Sequence, residues 1–390
     1  MKEIHFWQFP ERKIYVKLEE GFQKDFFDAL INRLGSRWEL MKRLGVGYTT
    51  TKHWQYGWRF RTPDRREDQY CPVWALKKIC HIYSDVMGLD LNCVLHDIER
   101  HIHSYRAHSG TKILKPRLPI KNSCRLYSII AHMIADGTWS EGCCSKYINS
   151  SDALRREFVD DLKRVFGDVE IYESFARNHV PHIIFPSAVM YIISSHLPFK
   201  FSGINGLPKS VISLPPKTKA RMLRSFFDDE GYVHDSNIQI CSLDIEMLNM
   251  IKLMLKSLEI ESSNLKKYKD YERVDGSISK VAYFNIFSRS IPKFSRKIGF
   301  SHPKKKKRLD LIMKIRLRPR HPNSDKIRST ILAQLKERGV LTAADLSLAC
   351  VITSKNLRKN YLYPAENEGI IERMGKGRGK GGPVLWRLKE

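Results

Sequence analysis

Apolar positions along this chain change period several times, and each change marks an element. Ile14, Val16 and Leu18 alternate with polar residues, the period of a half-buried strand. Phe26, Phe27, Leu30, Ile31 and Leu34 then recur at helical spacing. Ser36 can cap a second helix, Arg37 to Leu44, burying Trp38, Leu40, Met41 and Leu44. Gly45-Val46-Gly47 is a tight turn before a third helix through Trp58. Further helices are expected at Val73–Met87 and Leu91–His103, and the basic, proline-broken stretch Lys112–Pro119 marks a boundary.

From there an element order appears twice. The apolar run Ile129–Ala135 ends in Asp136-Gly137, and Leu223–Phe227 leads to Glu230-Gly231. Each run is followed by a hairpin, a helix, a second strand pair and a second helix. The helices fall at 152–166 and 187–195 in the first copy, and at 245–258 and 291–298 in the second. Strand pairs are expected at 138–149 and at Val169–Tyr172 with His182–Phe185. Their later counterparts are Tyr232–Val233 with Ile238–Cys241, and Leu265–Tyr271 with Lys280–Phe287. A repeat of this length means a duplicated unit with pseudo-twofold symmetry. Prolines at 198, 208 and 215 punctuate the link between copies. From Asn323 three more helices and a basic hairpin follow, with Thr342 and Thr353 or Ser354 as caps.

The acid-glycine endings point to chemistry. Glycine suits a left-handed residue that closes a helix, which would fix Asp136 and Glu230 at helix C-termini. Carboxylates are poorly placed there for the macrodipole, so a cation, most simply a metal ion, is needed to offset the repulsion. Small residues at helical spacing (Ser128, Ala131 and Ala135, with Ser225 in the second run) would let the two helices approach and bring the acids side by side. Either run alone reads as an ordinary core helix.

As a pair, the runs resemble the two signature helices of the LAGLIDADG homing endonucleases in the form where one chain carries both copies. The resemblance covers roughly residues 120–316. It implies an α+β fold of two αββαββ units forming a saddle that lies in the DNA major groove. It implies metal-dependent phosphodiester hydrolysis with Asp136 and Glu230 holding Mg²⁺ or Mn²⁺. It also implies a basic residue beside the metals from each half, matched by Lys200 and by Lys305 among four adjacent lysines. A polar strand residue near the attacking water is matched by Gln239, with Tyr147 in its place in the first half. Two positions depart from the family pattern. His132 stands where an aliphatic residue is usual, and Asp229 where a small one is usual.

The expected modules are 1–115, an all-α unit of helix-turn-helix type; 120–215 and 216–316, the two halves; and 323–390, a winged helix. The first would place Thr49, Thr51, Lys52, His53 and Gln55 on a recognition helix, although any small helical hairpin fits the same pattern. The last would present Asn356, Arg358 and Lys359 on a helix and Lys376, Arg378 and Lys380 in its wing, to DNA or to protein.

Composition narrows the partner. Lys and Arg number 68 against 42 acids, a net charge of +26, which argues for a polyanion and for nucleic acid before membrane. No run of eighteen apolar residues exists, no apolar signal region opens the chain, and the eight cysteines show no CxxC pair. An intracellular monomer acting on a long pseudo-palindromic duplex is the expectation, near the nucleoid, or in the nucleus of a eukaryotic host. A zinc site drawn from Cys93, His96, His101 and His103 fits no common spacing. Two other classes share the surface: a catalytically silent transcriptional regulator and an RNA intron maturase.

Overall fold

The computed structural model describes the chain except residues 1–2, 57, 60–65, 68–69, 109, 176–178, 202–205, 268–270, 273–277, 280, 317–323, 377–383 and 390. It divides into two compact units, Met1–Asp229 and Glu230–Glu390. Among the described residues no helix is long and apolar enough to cross a membrane.

In the first unit, the expectation of an all-α N-terminal module is corrected. Strand Ile14–Leu18 forms with alternate residues buried, and it joins Ile102–Ala107, Cys71–Pro72 and Lys112–Leu114 in a five-stranded sheet. The helix expected to run to His103 stops at Arg100, and the chain turns into that sheet. The fifth strand, Asp168–Val169, comes from the first αββαββ half, so the boundary near residue 115 does not separate two hydrogen-bonded bodies. Gly167, at φ +111°, makes this entry possible, because a Cβ there would lie 2.8 Å from the Cα of Pro116. The expected strand Val169–Tyr172 is therefore two strands: Asp168–Val169 goes to this sheet, and Tyr172–Phe175 pairs with Pro181–Phe185.

Helices Glu20–Leu34, Arg37–Leu44 and Tyr48–Tyr56 follow the expected order, with Ser36 accepting from the N–H of Glu39 at 3.3 Å and Gly45 left-handed at φ 76°. Trp38, expected in the core, is 66% exposed and packs beside Tyr48 at 6.0 Å.

The duplication is plain in the sheets. The first half has Gly137–Thr138, Ser145–Ile148, Pro181–Phe185 and Tyr172–Phe175 in spatial order. The second half has Gly231–Val233, Ile238–Ser242, Ala282–Ile286 and Lys266–Lys267 in the same order. Each sheet buries one face: Ile238, Ile240, Phe284 and Ile286 are fully buried in the second, while Tyr232, Gln239 and Asn285 lie on the other face. Alternation along a strand makes that division obligatory.

The signature helices are Cys124–Ala135 and Pro216–Glu230. Within the first unit they meet along buried small residues, with Ser128 Oγ 2.8 Å from Ser225 Oγ. Fully buried Asp161 joins their N-terminal ends, accepting from Arg125 at 2.5 Å and from Arg221 at 2.9 Å.

In the second unit, helices Ser324–Arg338 and Ala343–Cys350, the helical segment 354–367, and strands Leu341–Thr342, Ile371–Lys376 and Val384–Leu388 enclose a separate core around Leu346, Leu357 and Trp386. The sheet order places Val384–Leu388 between the other two strands. Thr342 and Asp345 form a reciprocal capping box, and Thr353 caps the following helix.

Candidate functional site

Asp136 is the C-cap of the first signature helix, at φ −118° and ψ 11°, so the acid is at a helix end as the sequence implies. The reason for the following glycine differs from the expected one. Neither Gly137 nor Gly231 has positive φ; each starts a strand directly. Gly137 is required for space, since a Cβ would sit 2.5 Å from Met133 Cα and 2.7 Å from its Cε.

Around Asp136 the first unit builds a buried polar network. His132 Nδ1 lies 2.7 Å from Asp229 Oδ2, with the two side chains 2% and 0% exposed. Tyr147 donates its hydroxyl to Asp229 Oδ1 at 2.9 Å. The Asn149 amide donates to Asp136 Oδ2 at 2.8 Å and to Asp229 Oδ1 at 3.1 Å. Burial pulls the His132 imidazole down, but the charge and hydrogen bond of Asp229, with Asp228 and Glu157 behind, hold it above its ordinary value. The Tyr147 phenol is pushed far up, first by burial and then by Asp229, Asp136 and Asp228. Asp229 thus favours the protonated form of the imidazole, and the neutral phenol serves as a donor.

His132 and Asp229, the two departures from the family pattern, are therefore partners. A large polar group on one helix is matched by an acid on the other, one turn beyond the Ser128–Ser225 contact. Asn149 was missed in the sequence because it falls at the end of a hairpin and belongs to no signature. The signal that could have found the network was the pair of departures themselves.

In the second unit, Glu230 and Lys305 both act on Cys241. Burial raises that thiol most, Glu230 adds to the rise, and Lys305 opposes it. Lys305 is half-buried, whereas Lys304, Lys306 and Lys307 are exposed, so burial distinguishes it from its neighbours. Gln239 stands two residues from Cys241 on the same strand face, with its Oε1 3.2 Å from His234 Nε2. Gln239 and Cys241 thus share one face of strand Ile238–Ser242, and the charges of Glu230 and Lys305 both reach that thiol. Lys200 is exposed beyond the helix Ser187–His196, and no described contact joins it to Asp136.

Tyr147 is not the counterpart of Gln239. Tyr147 pairs with Gly137 as Ile240 pairs with Gly231, so Lys146 holds the place of Gln239. The first hairpin is one residue longer, and a one-residue slip exchanges the faces of a strand. That is why Tyr147 lies buried under the helices.

The outer residues divide. On helix Tyr48–Tyr56, Thr49 and Lys52 are exposed and His53 is half-buried. Thr51 and Gln55, expected to face DNA, are fully buried. Thr51 donates to the Tyr48 carbonyl at 2.9 Å, and Gln55 donates to Asp28 at 2.6 Å and accepts from Arg37. Four-residue spacing put these two on the inward face of a short helix. Asn356, Arg358 and Lys359 are exposed. Lys376 ends a strand, while Arg378 and Lys380 lie outside the described residues.

Residues 217–299 match the family model described as a LAGLIDADG-like domain. A replication factor C small subunit of Methanocaldococcus jannaschii is 26% identical over 227 residues, 56% of this chain and 12% of the relative. An uncharacterized protein of the same organism, MJ0398, is 31% identical over 129 residues, 31% of this chain and 46% of the relative. The chain thus spans less than half the length of either curated relative. Among solved structures, the homing endonuclease I-DmoI in complex with DNA and Mn has a TM-score of 0.33 at 13% identity, covering 45% of this chain and 96% of that one. Full-length DUF199/WhiA from Thermatoga maritima has a TM-score of 0.33 at 13% identity, covering 63% and 93%.

Proposed function

Because residues 217–299 match a LAGLIDADG-like domain, we propose that this chain is a site-specific, double-strand DNA endonuclease that uses Mg²⁺ or Mn²⁺. The observation that supports this reading best is the Asn149 amide shared between Asp136 and Asp229. It ties the acid at the end of one signature helix to Asp229 in the last turn of the other.

Asp136 and Glu230 would hold the metal. The donor set fits: both acids offer hard carboxylate oxygens on partly exposed side chains. When bound, a divalent ion supplies an activated water and charge neutralisation for the phosphodiester. This chain's own residues do the rest. Asn149 fixes the carboxylate of Asp136 by occupying one of its oxygens. The His132–Asp229 pair keeps Asp229 compensated, so the cluster of acids carries less repulsion. Lys305 would place a cation against the phosphate, and Gln239 would orient water through its amide. Lys200 would do for the first half what Lys305 does for the second.

The exposed sheet faces, with Tyr232, Gln239 and Asn285 among them, would read base edges in the major groove of a long pseudo-palindromic duplex bound by a monomer. Thr49, Lys52 and His53 in the first unit and Asn356, Arg358 and Lys359 in the second would lengthen the footprint.

The test is incubation of a randomised duplex library with protein and Mg²⁺, then sequencing of the ends produced. A single preferred site cut on both strands is expected, with cleavage lost and binding kept in Asp136→Ala and in Glu230→Ala. Cutting retained by either variant would remove the assignment.

A further inference from the structure

The N-terminal segment assembles a group that the nuclease reading leaves unused. His5 precedes the short turn Phe6–Gln8, and His96 and Glu99 stand one turn apart on helix Leu91–Arg100. One ligating atom from each of the three lies within 4.8 Å of the others. Cys93, His101 and His103, which can be drawn beside His96 in the sequence but fit no common spacing, belong to no such group among the described residues. His101 instead stacks on Phe22 at 3.8 Å and bonds to Glu19 at 2.8 Å.

Hydrogen bonds explain part of the arrangement. Glu99 is buried, Phe6 donates its N–H to Oε1 at 2.9 Å, and His5 Nδ1 lies 2.9 Å from Oε2. His96 is not needed for that pair. Yet its ring meets His5 edge-on at 5.3 Å and Trp7 edge-on at 5.0 Å, while Trp7 stacks flat on His5 at 4.3 Å. The indole therefore walls one side of three converging donors, and the solvent-exposed side is the side of His96.

We propose that His5, His96 and Glu99 bind a divalent transition-metal ion, zinc before cobalt or nickel. Two imidazole nitrogens and one carboxylate oxygen suit such ions, and three protein ligands leave a fourth position for water. Mg²⁺ prefers an octahedral oxygen shell, so this site and the one proposed at the signature helices select different ions. Ligation exchanges the His5–Glu99 hydrogen bond for one bond from each of these side chains to the ion. The ion would clip the N-terminal segment to helix Leu91–Arg100. Strand Glu3–Ile4 of that segment pairs with Ile120–Lys121, just before the first signature helix, so the clip acts on the entry to that helix.

The test uses the full chain without an affinity tag, stripped of metal. Titration with Co²⁺, followed by visible absorption and Trp fluorescence, is expected to show one saturable site that Zn²⁺ displaces. His96→Ala leaves the His5–Glu99 pair in place and is expected to weaken binding more than about tenfold. It should also abolish the rise in melting temperature that Zn²⁺ gives. His103→Ala should bind as the wild type does, and Trp7→Phe should bind but lose the quenching. No saturable binding, or binding unchanged in His96→Ala, overturns the site. Should His96→Ala fail to fold, Zn-edge absorption of the wild type decides. Nitrogen donors at about 2.0–2.1 Å support the site, and an all-oxygen shell refutes it.

Discussion

Replacing His132 and Asp229 one at a time and together measures what holds the helix seam. His132→Leu takes the imidazole away from the Asp229 carboxylate, 0% exposed, while the Tyr147 hydroxyl and the Asn149 amide stay bonded to it. Removing one partner of a buried ion pair costs about 3–5 kcal/mol, because the survivor stays charged and dry. Asp229→Ala strands the imidazolium by the same mechanism and by a similar amount, about 3–5 kcal/mol. If the two costs were independent they would sum to about 6–10 kcal/mol. The double variant strands neither charge and restores the aliphatic-plus-small pattern usual in the family. It loses mainly the acceptor of Tyr147, about 1–3 kcal/mol. Urea unfolding followed by circular dichroism reads these differences. With m of about 2–3 kcal/mol/M for a unit of this size, each single variant should lower the midpoint by about 1–2 M. The double variant should recover most of that. A pH series adds a check of sign. His132 is held above its ordinary value of 6.5, so its contribution is full below about pH 6.5 and is lost as pH rises through the folded-state value. The wild type should therefore lose stability relative to the double variant toward alkaline pH. A double variant as unstable as the sum of the singles, within about 0.5 kcal/mol, would refute the coupling and with it the explanation of both departures.

Other consequences are simpler to measure. Gly137→Ala should cost at least about 1–3 kcal/mol in the same urea assay, since its Cβ meets the Met133 backbone rather than a flexible side chain. Thr49→Ala and Lys52→Ala should weaken DNA binding without changing stability, whereas Gln55→Ala should lower stability through its bond to Asp28; equal behaviour of all three in a binding assay would contradict the assigned faces. If about ten phosphates are neutralised, the logarithm of the binding constant should fall with log salt at a slope near −9, and a slope near −2 would mean that the charge of +26 serves some other purpose. Mg²⁺ should raise the melting temperature of the wild type and not that of Asp136→Asn, measured by calorimetry with and without chelator.

Much of this molecule was legible along the chain because the signals are local. The caps at Ser36, Thr342 and Thr353 work through side chains bonding to backbone three residues on, and all three form as the sequence implies. The duplicated half is legible for a related reason: strand alternation and helix periodicity are set residue by residue, and both copies recur in the same order. Asp136 and Glu230 stand out because a carboxylate before a glycine at the end of an apolar helix is a local anomaly.

Relations between segments distant in sequence carry no such mark. The N-terminal sheet takes its fifth strand from residues 168–169, a pairing that nothing near either strand announces. Burial of Thr51 and Gln55 depends on which face of a short helix meets Glu20–Leu34, and a nine-residue helix leaves that face undetermined by its own periodicity. Tyr147 moved from the solvent face to the buried one through a single extra residue in a hairpin. His132 and Asp229 read as two blemishes until packing placed them 2.7 Å apart, and His96 gained its partners from a residue ninety-one positions earlier and another on its own helix. Local bonding and periodicity are written in neighbouring residues, whereas a buried charge is tolerable only when a distant group arrives to compensate it, and that arrival is a property of the folded chain.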